Sequence, residues 1–120
     1  MNKIKLGKQA VVHFIGIGGI GMSGLAQIMK TMRFNVQGSD LNENKNTDNC
    51  KKLGIKILKG HSKKNIFKAT IVVKSSAIKK NNIELIYSKK KNIPCYDRIE
   101  MLANIIDLKK NIIVTGSHGK

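Results

Sequence analysis

Six residues, Gly16-Ile17-Gly18-Gly19-Ile20-Gly21, narrow the choice of fold more than any others in this 120-residue chain. They follow the apolar run Val11 to Ile15 directly and open a stretch in which Leu25, Ile28, Met29 and Met32 recur at helical spacing. A glycine-rich turn between a buried strand and a helix has a physical purpose. One glycine permits the tight turn, one lets the backbone approach a pyrophosphate, and one lets helix and strand pack closely. The unpaired N–H groups and positive dipole end of the helix then favour an anion. Gly16, Gly18, Gly19 and Gly21 are therefore candidate binding residues. Asp40 comes 19 residues after Gly21 and closes the next strand-like run, where an acidic side chain can accept hydrogen bonds from a ribose hydroxyl. By itself it also fits a loop acid or a helix cap.

The rest of the chain extends this pattern. Val11 to Ile15, Asn35 to Gln37, Lys56 to Leu58, Thr70 to Lys74, Ile93 to Tyr96 and Ile112 to Thr115 read as strands. Met22 to Met32, Thr47 to Leu53, Ile83 to Lys91 and Arg98 to Leu108 read as helices, and Asn42 to Asn49 as a connecting loop. Alternating strands and helices predict an α/β fold, a Rossmann-like parallel sheet with helices on both faces. Ligands of such sheets bind at the carboxyl ends of the strands. Pro94 stands near the start of its strand, where a missing N–H is tolerated.

Further candidates lie at the same sheet edge. Ser75-Ser76-Ala77-Ile78 follows a strand, so its hydroxyls can meet phosphate or sugar; alone, it also reads as a turn or cap. His61 follows another strand, whereas His13 lies within the first and reads as a satisfied core or edge histidine. Cys50 and Cys95 have no metal-ligand spacing and predict reduced, packed thiols and no metal site. The amino terminus carries no export signal and the apolar runs are too short to cross a bilayer, so a cytoplasmic protein with no membrane partner is expected.

A formal charge of +16 raises the question of nucleic acid. Only Arg33 and Arg98 are arginines, aromatic residues make up 4%, and Lys, Asn and Ile all have A/T-rich codons. Recognition of bases and phosphates leans on guanidinium and aromatic groups, so the lysines are read as solvated surface and no nucleic-acid partner is expected.

At the carboxyl end, the strand-like Asn111 to Thr115 leads into Gly116-Ser117-His118-Gly119-Lys120, which looks like the first part of a phosphate-binding loop. With these residues the ordered set is complete. HFIGIGGIGMSGLA from His13, GSD at Gly38 to Asp40, GH at Gly60 and His61, SSAI at Ser75 to Ile78, Arg98 with MLA at Met101 to Ala103, and VTGSHGK from Val114 resemble the amino-terminal third of the Mur ligases. The GIGGIGMSG form resembles their alanine-adding branch.

The resemblance implies an ATP- and magnesium-dependent amide ligase of peptidoglycan biosynthesis. ATP phosphorylates the carboxylate of UDP-N-acetylmuramate, and the amine of L-alanine displaces the phosphate. It also implies that residues 1–107 form the UDP-sugar-binding domain and 108–120 a linker, first strand and partial ATP loop of a central domain. Gly18, Gly19, Ile20, Gly21 and Met22 would hold the diphosphate. Asp40 and Ser75, Ser76, Ala77 and Ile78 would contact the uridine part, with help from His61. Gly116, Ser117, His118, Gly119 and Lys120 would begin the ATP loop, with Ser117 where threonine is usual. The residues present include no magnesium site, so no cofactor and no ligase activity are expected of this stretch alone. A NAD-binding sensing module is the alternative that the glycine loop also allows.

Overall fold

The computed structural model describes Ile4, Leu6, Gly7 and residues 9–118, with side chains as far as Asn111. Its strands are β1 (Val11–Ile15), β2 (Asn35–Asp40), β3 (Lys56–Lys59), β4 (Ile71–Lys74) and β5 (Cys95–Asp97). Its helices are α1 (Ile20–Thr31), α2 (Lys45–Lys52), α3 (Ile83–Lys90) and α4 (Arg98–His118), with a 3-10 turn at Lys63–Ile66. All strand pairs are parallel, in the order β3-β2-β1-β4-β5. The chain therefore winds outward from β1 to β3, then crosses back to β4. The order reverses between β1 and β4, and at such a switch point the loops after the two strands part to leave a crevice.

The two faces of the sheet differ in character. Val12 and Phe14 of β1, Val36 of β2, and Ile71 and Val73 of β4 join Met22, Leu25, Ala26 and Met29 of α1, Cys50 of α2, and Met101 and Ile105 of α4 in one apolar core. The alternate positions, Ile15 and Val72, meet Ile66, Ala69 and Leu85 in a smaller cluster under α3. His13 shares that second face and is fully buried.

Two expectations change. The strand read at residues 112–115 is helical, because α4 runs without a break to His118. The apolar run Ile112-Ile113-Val114 suits either period. A strand needs a neighbour for its N–H and C=O groups, and no described strand pairs with this segment, so the helix satisfies them internally. The loop read at residues 42–49 gives way to α2 at Lys45. Asn44 caps it by accepting from Thr47 N at 2.9 Å, while Thr47 Oγ1 accepts from Asn44 N at 2.9 Å. This reciprocal pair is a capping box with threonine in the third position.

Gly38 in β2 sits against Ile17, and a Cβ there would lie 2.5 Å from Ile17 Cδ1 and 2.7 Å from Ile17 Cβ. Gly38→Ala is expected to destabilise the chain by about 1–3 kcal/mol in urea unfolding, as overpacking does. Gly24→Ala in α1, where nothing lies within 4 Å of the new methyl, is expected to stabilise by about 0.5–1 kcal/mol. Equal effects at the two positions would contradict this packing.

Candidate functional site

The glycine loop leaves β1 through Gly16, whose φ of +83° is the left-handed turn that glycine adopts freely. The amides of Gly16 and Ile17 both donate to the carbonyl of Ser39, at 2.9 and 3.0 Å, stitching the loop to the end of β2. Gly18 is then held on both sides of its backbone. Its N–H donates to Asp40 Oδ2 at 2.7 Å, and its carbonyl accepts from Asn44 Nδ2 at 3.2 Å and Asn46 Nδ2 at 2.9 Å. A Cβ at Gly18 would lie 2.8 Å from Asp40 Oδ2, so a side chain there would have to displace the carboxylate that holds the amide.

Past the clamp, Gly19 begins α1 with no side chain capping it. The first N–H groups of the helix, including those of Ile20, Gly21 and Met22, have no intrahelical partner. They border a cavity of about 250 Å³ lined by Gly19, Ile20, Gly21, Met22, Ser75, Ser76, Asp97, Arg98 and Ile99. Arg98 begins α4 directly after β5, and its side chain packs over Gly21, where an added Cβ would come 2.8 Å from Nε. Asp97 and Glu100 cap that helix reciprocally, Asp97 Oδ1 accepting from Glu100 N at 2.8 Å and Glu100 Oε1 from Asp97 N at 3.1 Å. Partial positive charge from a helix end and full positive charge from a guanidinium converge on the cavity, beside two serine hydroxyls. Such a set suits a phosphate or diphosphate.

The predicted residues divide in two. Gly19, Ile20, Gly21, Met22, Ser75 and Ser76 share the cavity. Ser75 also accepts from Ala77 N at 3.2 Å, making the turn, and Ile78 Cδ1 would lie 3.2 Å from a Cβ on Gly16. Ala77 and Ile78 are thus part of the loop's support and do not line the cavity. Asp40 and His61 stand apart, beyond β2. Asp40 braces Gly18 and still has lone pairs for a ligand hydroxyl. Arg98, Asp97 and the asparagines 44 and 46 were not singled out as site residues by sequence. An arginine placed straight after a strand, in a chain with only one other, and the Asn44/Thr47 spacing were the available signals.

His61 belongs to a buried polar network that sequence did not reveal. Glu84, in the first turn of α3, is fully buried. Its Oε1 accepts from Ser39 Oγ at 2.6 Å and meets His13 Nε2 at 2.7 Å. Its Oε2 accepts from Asn65 Nδ2 at 2.7 Å and Ser62 N at 3.1 Å, and lies 3.3 Å from His61 Nδ1. Burial pushes the carboxyl up, but the bonds from His13, Ser39 and Asn65 outweigh it and hold Glu84 down at about 2. His13 is thus the satisfied core histidine expected. Cys50 and Cys95 are free thiols that burial pushes up, which does not suit a nucleophile.

The carboxyl-terminal loop is different. Gly116, Ser117 and His118 are helical, and Gly119 and Lys120 lie outside the described residues. A helix does not make the amide nest that an ATP phosphate loop requires, so no ATP step follows from this geometry. Among the described residues no cluster of three His, Cys, Asp or Glu side chains is placed to hold a metal, and no helix is long and apolar enough to cross a membrane.

Comparison with known proteins adds independent information. The family model described as Mur ligase family, catalytic domain, matches residues 11–110. The UDP-N-acetylmuramate--L-alanine ligase of Pelagibacter ubique is 67% identical over 118 residues, which are 98% of this chain and 25% of that protein. The ligase of the same name from Aquifex aeolicus is 55% identical over 90% of this chain and 24% of its own length. The chain thus spans about a quarter of the curated relatives it matches. Among solved structures, the UDP-N-acetylmuramate-alanine ligase of Thermotoga maritima superposes with a TM-score of 0.79 at 32% identity, over 83% of this chain and 23% of that one. The UDP-N-acetylmuramate:L-alanyl-gamma-D-glutamyl-meso-diaminopimelate ligase of Neisseria meningitides gives 0.69 at 28%, over 74% of this chain and 28% of that one. These relatives are ligases and give no support to the NAD-sensing alternative.

The network sets an expectation for stability. Glu84→Ala strands several buried donors and is expected to cost about 3–5 kcal/mol in urea unfolding. Because the folded carboxyl sits below its ordinary value of 4.5, the unfolded chain binds more protons as pH falls. The contribution of Glu84 is complete above the ordinary value and drains away toward pH 2. The difference in stability between the wild type and Glu84→Gln should shrink over that window; a constant difference would contradict an ionised Glu84.

Proposed function

The chain belongs to the Mur ligase family, and on that premise we propose that it forms the UDP-sugar-binding part of a cytoplasmic ATP-dependent ligase that adds L-alanine to UDP-N-acetylmuramate. The observation that carries the reading is the convergence of the uncapped start of α1, the Ser75-Ser76 turn and the Arg98 guanidinium on one cavity. A diphosphate needs charge neutralisation from preplaced donors. The amides of Ile20, Gly21 and Met22 point along the helix axis to where its oxygens would lie, and Arg98 adds a whole charge. Ser75 and Ser76 provide hydroxyl donors for phosphate or sugar oxygens.

At about 250 Å³ the cavity is smaller than the roughly 300–1,000 Å³ of ordinary ligand pockets. It holds the diphosphate and part of a sugar, and the nucleoside extends along the sheet edge past Asp40 toward His61. In this reading residues 1–107 hold and orient the muramyl nucleotide. ATP activation of its carboxylate and attack by alanine belong to the rest of such a ligase, with residues 108–120 leading to it. The relatives' names support the substrate and the amino acid; the cavity supports the diphosphate.

Calorimetric titration with UDP-N-acetylmuramate tests the proposal, with NAD as the control. Saturable binding of the muramyl nucleotide alone is expected. Arg98→Ala should weaken it roughly tenfold or more, the scale of a lost hydrogen bond to a charged group, and added salt should weaken the wild type more than the variant. Equal binding of NAD, or no effect of Arg98→Ala, would overturn it.

A further inference from the structure

We propose that the outer face of α3, with the Phe67 ring beside it, is a docking groove for an acidic amphipathic helix of a partner protein. The groove shares no residue with the nucleotide cavity, so it stands or falls apart from the nucleotide reading. It also lies on the far side of the sheet from α4, because α3 packs on the Ile15 and Val72 cluster and α4 on the Val12 and Phe14 core.

α3 is apolar on both sides. Leu85 is buried against the sheet, while Ile83 and Ile86 are 48% and 51% exposed. With Tyr87 and Lys90 they make a stripe at i, i+3, i+4 and i+7 along the outer face, the spacing that lets a second helix lie alongside. Phe67, 61% exposed, stands beside this stripe, its ring centre 5.7 Å from that of Tyr87. Its place is fixed from below: Ile66 is fully buried, and the N–H of Phe67 donates to the carbonyl of Lys64 at 3.3 Å to close the 3-10 turn. The result is a preorganised hollow of about 430 Å³ with an aromatic and aliphatic floor, larger than the nucleotide cavity. Apolar surface gathered in one patch and rimmed by polar groups marks an interaction site, whereas single scattered residues do not.

The rim selects the partner. Lys63, Lys90 and Lys91 line the same hollow, and Lys91 Nζ leans over the Tyr87 ring, 5.8 Å from its centre. Across Phe67 a second hollow of about 320 Å³ takes in Leu58, Lys64 and Lys68. Glu84 is the only acid between Asp48 and Asp97, and it is fully buried. Among the described residues none of these five lysines pairs with a carboxylate. An apolar floor inside an unpaired cationic rim is matched by an apolar stripe flanked by Glu and Asp. A second copy of the chain does not supply that, since the same face would set lysine against lysine on two molecules that each carry +16. A bilayer meets groups that project, whereas this floor is recessed between the 3-10 turn and α3 and is reached by single side chains.

Fluorescence anisotropy with a synthetic peptide tests this. The probe is a labelled peptide of about 15 residues with leucine at i, i+3, i+4 and i+7 spacing and glutamate elsewhere; the control has the same composition in an order that breaks the stripe. The chain should bind the probe about tenfold or more tightly than the control, and Phe67→Ser should remove that preference. Ile86→Ser, at another exposed position, takes its place if that variant does not fold. Lys63→Glu combined with Lys90→Glu should also weaken binding, and added salt should weaken the wild type more than this variant. On titration, nitrogen-15 amide shifts should move at residues 63–68 and 83–91 and spare the glycine loop. No binding of the probe, equal binding of probe and control, or shifts centred on the Arg98 cavity would overturn the groove. A chain that ignores the peptide but sediments with phosphatidylglycerol vesicles, or that dimerises through Phe67, would give the face a different occupant and overturn the proposal as well.

Discussion

One glycine residue holds the candidate site in shape. Gly18 gives its N–H to a carboxylate from the end of β2 and its carbonyl to two amides from the start of α2. The contact is so close that an added Cβ would push the Asp40 carboxylate aside. Because both backbone polar groups are saturated by side chains, the loop has little freedom to collapse into the cavity or to drift off the sheet. The direction of α1, and with it the direction of its unpaired amides, follows from that anchorage. Preorganised donors lose less on binding than donors that must first be ordered, so this clamp does energetic work at a distance from any ligand atom.

The sheet divides labour between its faces. Three helices seal one face with aliphatic side chains, and that is where most of the apolar burial occurs. The other face sacrifices apolar area to a charged cluster around Glu84. A buried carboxylate with five donors is a poor way to gain stability, since apolar residues of similar volume often do as well. It is a good way to specify orientation, because each donor fixes the direction of the group that carries it.

Much of the architecture was legible in the sequence, for reasons that also explain the failures. Strands of a parallel sheet are buried on both faces and read as continuous aliphatic runs, which is why β1 and β4 were found almost to the residue. The second half of β2 was not, because Gly38, Ser39 and Asp40 are poor strand formers. Pairing with β1 on one side and β3 on the other holds them extended. Residues 112–115 had the composition of a strand and no neighbour to pair with, and composition alone does not supply the neighbour. The cavity was half visible: the glycine loop and serine turn have local signatures, whereas Arg98 enters only through the placement of β5. Glu84 left no local trace. Its meaning comes from His13, 71 residues away in the chain, and from Ser39, 45 residues away.

Ser39 belongs to both halves of the site at once. Its carbonyl takes the two amides that begin the glycine loop, and its hydroxyl stands between Glu84 and His61. The start of the glycine loop and the His61 side chain are thus referred to a common origin, one residue with 0% exposure. Two groups built on separate loops would each wander, and the distance between them would fluctuate. With one residue as the shared datum, the span between the glycine loop and His61 behaves as a fixed gauge.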